Sequence, residues 1–358
     1  MRRINNFSKR WKKALKDKER KSMLSILLEY VWLRLFNPSL SQQYFNKYLF
    51  RKNAKNLKNY LVTHQLHSDL WDINSQNSRL YPLLTDKLFF EKFFSGHKIN
   101  VIKNLACNNG SMFIKEGNAK EIHTPEEFRN FLLSLKKENA VPGSLIIKKR
   151  KDSRGGKNIF KINLVDVNSD DTAFQKIYKS VTSSGFVYQD VIRQHHYLNK
   201  LNSFCINSIR VITYTNAAGE VKILSSFLRT GLDTHYVDNV SSGGGFVGID
   251  LDNGTFNTEL YTDFENGCGS VFKNHPLTNV KIMGFAIPFF NEAKELAMAA
   301  AKIIPQMTLI GWDIAIQADG PAIIEGNKSP GMISPEILEK GLKKNRVFMD
   351  LLNEMQGK

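Results

Sequence analysis

The chain has 358 residues, 42% of them hydrophobic, and a formal net charge of +16 at pH 7. That length exceeds one small domain and buries a substantial core, so two or three packed subdomains are expected. Its three cysteines, Cys107, Cys205 and Cys268, form no CxxC pair, which argues against a disulfide framework or a structural zinc and for a reducing compartment.

The charge is unevenly spread. Residues 1–60 carry 16 lysines and arginines against three acids, Asp17, Glu19 and Glu29, while the remaining 34 basic and 31 acidic residues nearly cancel. A basic segment attracts anionic partners such as phospholipid headgroups, nucleic acid or acidic glycans. Nucleic acid ranks lowest, because the rest of the chain is close to neutral and holds no recognition motif. No secretory signal is evident, and the apolar stretch near Leu24–Phe36 is too short, and too interrupted by Glu29 and Arg34, to span a bilayer. A cytoplasmic protein is expected. Phe7, Trp11, Tyr30 and Trp32 interleave the cations, so residues 1–60 are a candidate for peripheral contact with an anionic membrane. The competing expectation is a solvated basic helix that packs its apolar face on the rest of the chain.

Residues 8–36 read as one helix, stopped at Asn37-Pro38, because the residue before a proline disfavours helix. A second helical stretch is expected from Ser41 to Leu66, giving a basic helical region over residues 1–78. From Leu84 the pattern changes. Leu88–Phe94 reads as a helix, and Asn100–Ile102 and Met112–Ile114 read as strands. Thr124-Pro125-Glu126-Glu127 opens a helix with a threonine cap and proline in the first turn, ending before Pro142-Gly143. Ser144–Lys149 and Asn158–Leu164 form a hairpin around a Gly-rich loop, followed by a helix over 171–184 and a strand over Phe186–Val191. Two subdomains are expected in 79–200. In 201–358, Ser208–Tyr214 and Lys222–Arg229 read as paired strands, Phe290–Ile304 as an alanine-rich buried helix, and Leu309–Gln317 with Pro321–Glu325 as a second hairpin. The class is α+β, with antiparallel sheets in two blocks.

The sharpest chemical signal is Ile310-Gly311-Trp312-Asp313-Ile314-Ala315-Ile316, a turn, then Ala322-Ile323-Ile324-Glu325-Gly326-Asn327. A carboxylate inside an apolar strand needs a cation or donors. Glu325 and Asn327 are two apart, so their side chains share a face of the second strand. Three oxygen ligands of this kind suit magnesium, which takes carboxylates together with phosphate oxygens. The bland alternative is a hairpin whose polar residues face water.

A second signal is Ile146-Ile147-Lys148-Lys149-Arg150 followed by Asp152-Ser153-Arg154-Gly155-Gly156-Lys157. A lysine at a strand end reaches phosphates as a point charge, and the backbone N–H groups of a loop holding Ser153, Gly155 and Gly156 close on phosphate oxygens. The spacing is not a P-loop. Ser241-Ser242-Gly243-Gly244-Gly245 is a further flexible loop, suited to closing on a substrate.

These residues resemble the ATP-grasp superfamily, and specifically its branch associated with sugar transfer and polysaccharide gene clusters. The resemblance covers roughly residues 80–335 and rests most on Asp313, Glu325 and Asn327 with the trailing Pro330-Gly331. It implies two α+β subdomains clasping ATP, with an N-terminal helical extension. It places Lys87 and Lys148 as the nucleotide-contacting lysines, and Gln189, Asp190, Val191 and Ile192 as the adenine hinge. His195 or His196 would lie near the ribose, with His196 preferred, and Arg210 at the phosphates or an acyl-phosphate. Asp313, Glu325 and Asn327 would hold Mg2+. Relatives commonly carry a glutamate at the hinge and ribose; this chain has Gln189 and the histidine pair instead. Arg229, Asn239, Ser242 and Gly243 are candidates for the acceptor side. The implied activity is an ADP-forming carboxylate–amine ligase acting through an acylphosphate, with ATP and Mg2+, joining an amine or amino acid to a uronate-like or lipid-linked glycan carboxylate. Alternatives are a phosphotransferase on the same fold, or a membrane-binding module driven by the basic N-terminus.

Overall fold

A computed structural model describes residues 2–135, 143–151, 158–236, 240, 243–265 and 269–357. Ser153, Gly155, Gly156, Asn239, Ser242 and Cys268 lie outside these residues. The described helices are α1 (Arg2–Lys16), α2 (Met23–Phe36), α3 (Pro38–Gln42), α4 (His64–Trp71), α5 (Pro82–Thr85), α6 (Lys87–Gly96), α7 (Pro125–Ser134), α8 (Thr172–Thr182), α9 (Phe290–Ile303), α10 (Ile333–Leu338) and α11 (Arg346–Met355). The chain divides into two compact units, one of Met1–Ser78, Gln194–Pro321 and Asn327–Lys358, the other of Arg79–Arg193 with Ala322–Gly326.

The seven-stranded sheet holds β7 (Ile209–Thr215), β8 (Val221–Thr230), β9 (Gly245–Gly248), β10 (Leu260–Thr262), β11 (Val271–Phe272) and β12 (Leu309–Gln317) of the first unit, and β13 (Gly320–Asn327), whose Ala322–Gly326 belong to the second. Their order is β11-β10-β9-β8-β7-β12-β13. β12 is buried along nearly its whole length, as an interior strand covered on both faces must be. α9 packs on β7, β8 and β12, and its buried Ala293, Ala297 and Ala300 permit close approach.

The N-terminal segment belongs to the first unit's core. Tyr44, Phe45, Tyr48, Leu49 and Phe50 are buried with Tyr261 and Phe264 of the sheet region and Phe348 of α11. Helices were expected over 8–36 and 41–66, and the structure corrects both. The first is broken after Lys16, where Arg20 pairs as an isolated bridge with Arg51 and Lys21 N–H donates to the Phe50 carbonyl at 2.9 Å. Tertiary partners thus take the backbone groups a continuous helix would use. The second is replaced by consecutive turns, with Tyr48 in the left-handed region at φ 57° and only α3, a short 3-10 turn and α4 flanking them. Five nearly consecutive buried side chains cannot share one face of a helix, so the chain folds back on itself to bury them all.

The second unit has strands β1 (Ala106–Asn109), β2 (Met112–Lys115), β3 (Asn118–Glu121), β4 (Ser144–Lys149), β5 (Ile159–Asn163) and β6 (Gly185–Asp190). They run in the order β3-β2-β1-β6-β4-β5. Leu145, Ile147, Phe186 and Tyr188 share a core with Phe128 and Leu132 of α7 and Phe174 and Val181 of α8. The expected threonine cap is present and closes as a capping box: Thr124 accepts from Glu127 N–H, and Glu127 returns to the cap. Asn100–Ile102, expected as a strand, makes only an isolated parallel bridge from Val101 to Ile323; too few ladder bonds form there to extend it.

Candidate functional site

In the first unit the site grows from a cross-strand pair. Asp313 on β12 lies directly opposite Arg210 on β7, and Arg210 lies opposite Phe227 on β8. Directly opposed residues share a face, and Arg229 stands two residues beyond Phe227, so Asp313, Arg210 and Arg229 all point one way. The contacts follow. Arg210 donates through Nε and Nη2 to the two carboxylate oxygens of Asp313, and Arg229 Nη2 lies 2.9 Å from Oδ2. Ser208 Oγ accepts from Arg229 at 2.8 Å and holds the guanidinium in place. Asn327 Nδ2 approaches Asp313 Oδ2 at 3.4 Å and the Gly311 carbonyl at 3.2 Å. Asp313 is 1% exposed.

Gly311 is required by close approach. A Cβ there would stand 2.9 Å from Pro330 Cβ and 3.1 Å from Arg210 Cδ. The glycine therefore leaves the room in which the Arg210 guanidinium and Pro330 sit.

The second unit gathers another set. Lys87 opens α6, and Asp86 caps that helix by accepting from Leu88 and Phe89 N–H. Asp86 also accepts both contacts of Arg150 Nε, at 2.7 and 2.9 Å. Burial pushes the Asp86 carboxyl up, but Arg150 and the two backbone donors outweigh it, so its pKa falls below the ordinary value. Lys87 N–H donates to the Arg150 carbonyl at 3.1 Å, and its own carbonyl accepts from Asn104 Nδ2 at 3.2 Å. Asn104 in turn accepts from Gln189 Nε2 at 2.9 Å. Lys87 Nζ stands 3.8 Å from Glu325 Oε2. Lys148 lies on β4 opposite Ile159 and Val187. Two residues along, Ile146 faces Gln189. Lys148 and Gln189 thus share the sheet face turned away from the α7–α8 core. Asp190 ends β6, and Val191 and Ile192 follow it, half-buried.

His195 and His196 belong to the first unit and stack with ring centroids 4.5 Å apart. His195 Nδ1 accepts from Tyr197 N–H at 3.1 Å, and burial, then the neighbouring His196, lowers the His195 pKa. Gly243 lines a cavity of about 300 Å³ with Leu232, Asp233, His235 and Tyr236.

The sequence reading passed over Asp86, Asn104, Arg150 and Ser208 as functional positions. Asp86 carried a legible signal, a capping aspartate just before the helix that Lys87 opens. Ser208 carried none, because its role depends on Arg229 reaching back across a strand pair. Among the described residues, no three His, Cys, Asp or Glu side chains gather as a metal site. The donors at hand are the Asp313 carboxylate with the Asn327 side chain in the first unit, and the half-exposed Glu325 carboxylate in the second. Taken unit by unit, the carboxylates are donors of the kind a hard divalent cation takes, and in the first unit the guanidiniums beside Asp313 fit phosphate oxygens.

The model of the sugar-transfer associated ATP-grasp family matches residues 65–348. The chain belongs to that family, and its α+β architecture is the ATP-grasp fold. No curated protein matches it in sequence. Solved structures similar to it include D-alanyl-alanine synthetase A from Vibrio cholerae O1 biovar eltor str. N16961, at 13% identity and TM-score 0.42, covering 76% of this chain and 64% of that one. Another is the biotin carboxylase domain of Hydrogenobacter thermophilus 2-oxoglutarate carboxylase, a complex with magnesium ADP, ADP and bicarbonate, at 11% identity and TM-score 0.42, covering 72% and 42%. A third is N5-carboxyaminoimidazole ribonucleotide synthetase from Thermotoga maritima, at 10% identity and TM-score 0.40, covering 79% and 55%. The chain spans less than two thirds of the length of each.

Proposed function

We propose that this ATP-grasp chain binds ATP with Mg2+ and acts as an ADP-forming carboxylate–amine ligase in glycan assembly. The observation that carries the reading is Asp313: a carboxylate buried in an apolar strand, with Arg210, Arg229 and Asn327 turned toward it. A buried carboxylate shared by two guanidiniums is costly to desolvate and contributes little net stability, and proteins retain such departures from an apolar core mostly at functional sites. Asp313, Asn327 and Glu325 would hold the cation, which when bound neutralises phosphate charge. Lys87 and Lys148 would hold the nucleotide phosphates as point charges, and the backbone of Gln189–Ile192 would read the adenine edge. Arg210 and Arg229, anchored by Asp313 and Ser208, would grip anionic oxygens of the phosphate or of the carboxylate substrate. The carboxylate attacks the γ-phosphate and gives an acylphosphate with ADP; an amine then displaces phosphate to form the amide. This chain's residues neutralise and align, and no protein nucleophile is required.

The sugar-transfer association of the family supports a glycan uronate as the carboxylate and an amino acid or amine as the acceptor. The test is ADP formation against a panel of carboxylates and amines that includes sugar uronates, with Asp313→Ala as the control. ADP that appears only with both partners, together with free phosphate and an amide product, supports the ligase. ADP with a phosphorylated acceptor and no free phosphate turns the reading to a phosphotransferase. ADP at the same rate without any carboxylate overturns both.

A further inference from the structure

We propose that the exposed face of α2, together with the exposed cations of residues 9–34, docks on an anionic lipid bilayer. The observation is an apolar face left outside the core. α2 buries Ile26 and Leu33, and the opposite side presents Leu24, Leu27, Leu28, Val31 and Leu35 at helical spacing, with Phe36 at its end. Leu24 is 65% exposed, Leu28 60%, Leu35 70% and Phe36 69%. Trp32 is exposed on the flank and packs its ring on Phe36, centroids 5.6 Å apart. Single exposed leucines are ordinary, but a contiguous apolar ridge of this kind marks a binding surface.

The helix is held, so the ridge is a fixed feature. Ser22 caps it. Glu29, its one acid, turns inward to Lys21 Nζ at 2.7 Å and Tyr44 Oη at 2.8 Å. The other two acids of residues 1–60 are also paired: Asp17 with Arg51 at 3.0 Å and Glu19 with Lys273 at 3.6 Å. The cations divide differently. Arg10, Lys13, Lys47 and Arg51 are engaged with the body of the unit. Lys9, Lys12, Lys16 and Lys18 on and after α1, and Arg34 on α2, are exposed.

Charge complementarity selects the occupant. An apolar ridge with Arg34 exposed on its own helix, exposed lysines on and after the preceding helix of the same unit, and its acids paired away matches the interface of a bilayer rich in anionic headgroups. At 14 residues α2 is about 21 Å long, and no described helix is long and apolar enough to cross a membrane. α2 therefore lies in the plane of the surface, with its leucines among the first acyl carbons and the lysines at the phosphates.

The test is co-sedimentation of the full chain with phosphatidylcholine vesicles, and with the same vesicles carrying about one third phosphatidylglycerol. Two variants accompany it, Leu24→Ser/Leu28→Ser/Leu35→Ser and Lys12→Glu/Lys16→Glu/Lys18→Glu, each altering exposed side chains only. The expected result is recovery with the anionic vesicles, weakened by salt, and a loss of roughly tenfold or more in either variant. Equal recovery by wild type and both variants overturns the proposal, as does no recovery of wild type. Light scattering guards against the other occupant. A wild-type dimer that the serine variant turns to monomer, without vesicle binding, gives the face to a second copy and overturns the proposal too. If the serine variant fails to fold, the charge-reversal variant decides alone. None of these readouts depends on nucleotide turnover.

Discussion

Asp313 stands where a carboxylate is most expensive to keep. Its neighbours along β12, Trp312 and Ile314, are fully buried, and an unpaired charge there would cost several kcal/mol. Arg210 and Arg229, themselves almost buried at 12% and 13% side-chain exposure, offset that cost and incur one of their own. The three charges stand or fall together. Asp313→Ala removes the buried carboxylate that Arg210 and Arg229 share, and should lower stability by about 3 kcal/mol, read by urea denaturation. Asp313→Asn keeps the shape and an acceptor oxygen, so it should cost distinctly less stability while removing ADP formation as fully as alanine does. Equal activity in Asp313→Asn and wild type would make the cluster a structural ion network and remove the residue from the chemistry. The presence of Asp313 was legible from sequence, because a charge inside Ile-Gly-Trp-Asp-Ile-Ala-Ile is out of place. That Arg210 and Arg229 both pair with it was not. Arg229 was assigned to the acceptor side, and only the strand register of β7 and β8 brings it onto the carboxylate.

At the scale of the element, α6 shows how a single side chain orients a helix and a lysine together. Asp86 caps the first turn and accepts Arg150, and both ends of the Lys87 backbone are tied, to Arg150 and to Asn104. Asp86→Asn preserves the cap but discards the ion pair, whereas Asp86→Ala discards both. Alanine should therefore cost about 1 kcal/mol more than asparagine in thermal or urea unfolding. Both should raise the KM for ATP, because the segment that aims Lys87 loses its anchor. An unchanged KM in Asp86→Ala would show that Lys87 is aimed by something else. The Asp86 pKa lies below its ordinary value in the fold, so its stabilisation is present above that value and fades as pH falls through the folded pKa. Elements with local signals were readable: the Thr124 helix cap, the β4–β5 and β7–β8 hairpins and the apolar β12 strand each announce themselves within a few residues. β9, β10 and β11, of two to four residues each, lie below the length at which alternation is detectable. The order β1-β6-β4 depends on pairings distant in sequence, which no local pattern encodes.

Across the whole molecule, burial of polar groups ties stability to pH. The basic N-terminal segment is part of this: Lys47 and Glu336 are both fully buried as an ion pair, and Glu336 also accepts Val62 N–H at 2.8 Å. Gly341 completes the junction, since a Cβ there would lie 2.4 Å from the backbone carbon of Asn59. Residues 1–60 therefore carry part of the core, a role their charge concealed in the sequence. Burial lowers the Lys47 pKa, opposed by Glu336. Three histidines move the same way in the range where proteins are handled. His67 is lowered by burial and then by the neighbouring His64 and Lys47, and His195 by burial and then by the neighbouring His196. His275, 1% exposed, is lowered by burial, partly offset by the Gly231 carbonyl 3.0 Å from its Nε2. For each, the unfolded chain binds a proton more readily than the fold. Stability is then full above the ordinary histidine pKa and declines as pH falls below it, as the unfolded state gains protons that the native state refuses. The melting temperature should drop between about pH 7.5 and about pH 5.5, before the carboxylates titrate. His275→Asn, which can still donate toward the Gly231 carbonyl, should flatten part of that slope while leaving His67 and His195 to supply the rest. A melting temperature that is level over this interval, or a slope identical in His275→Asn and wild type, would remove His275 from the cause.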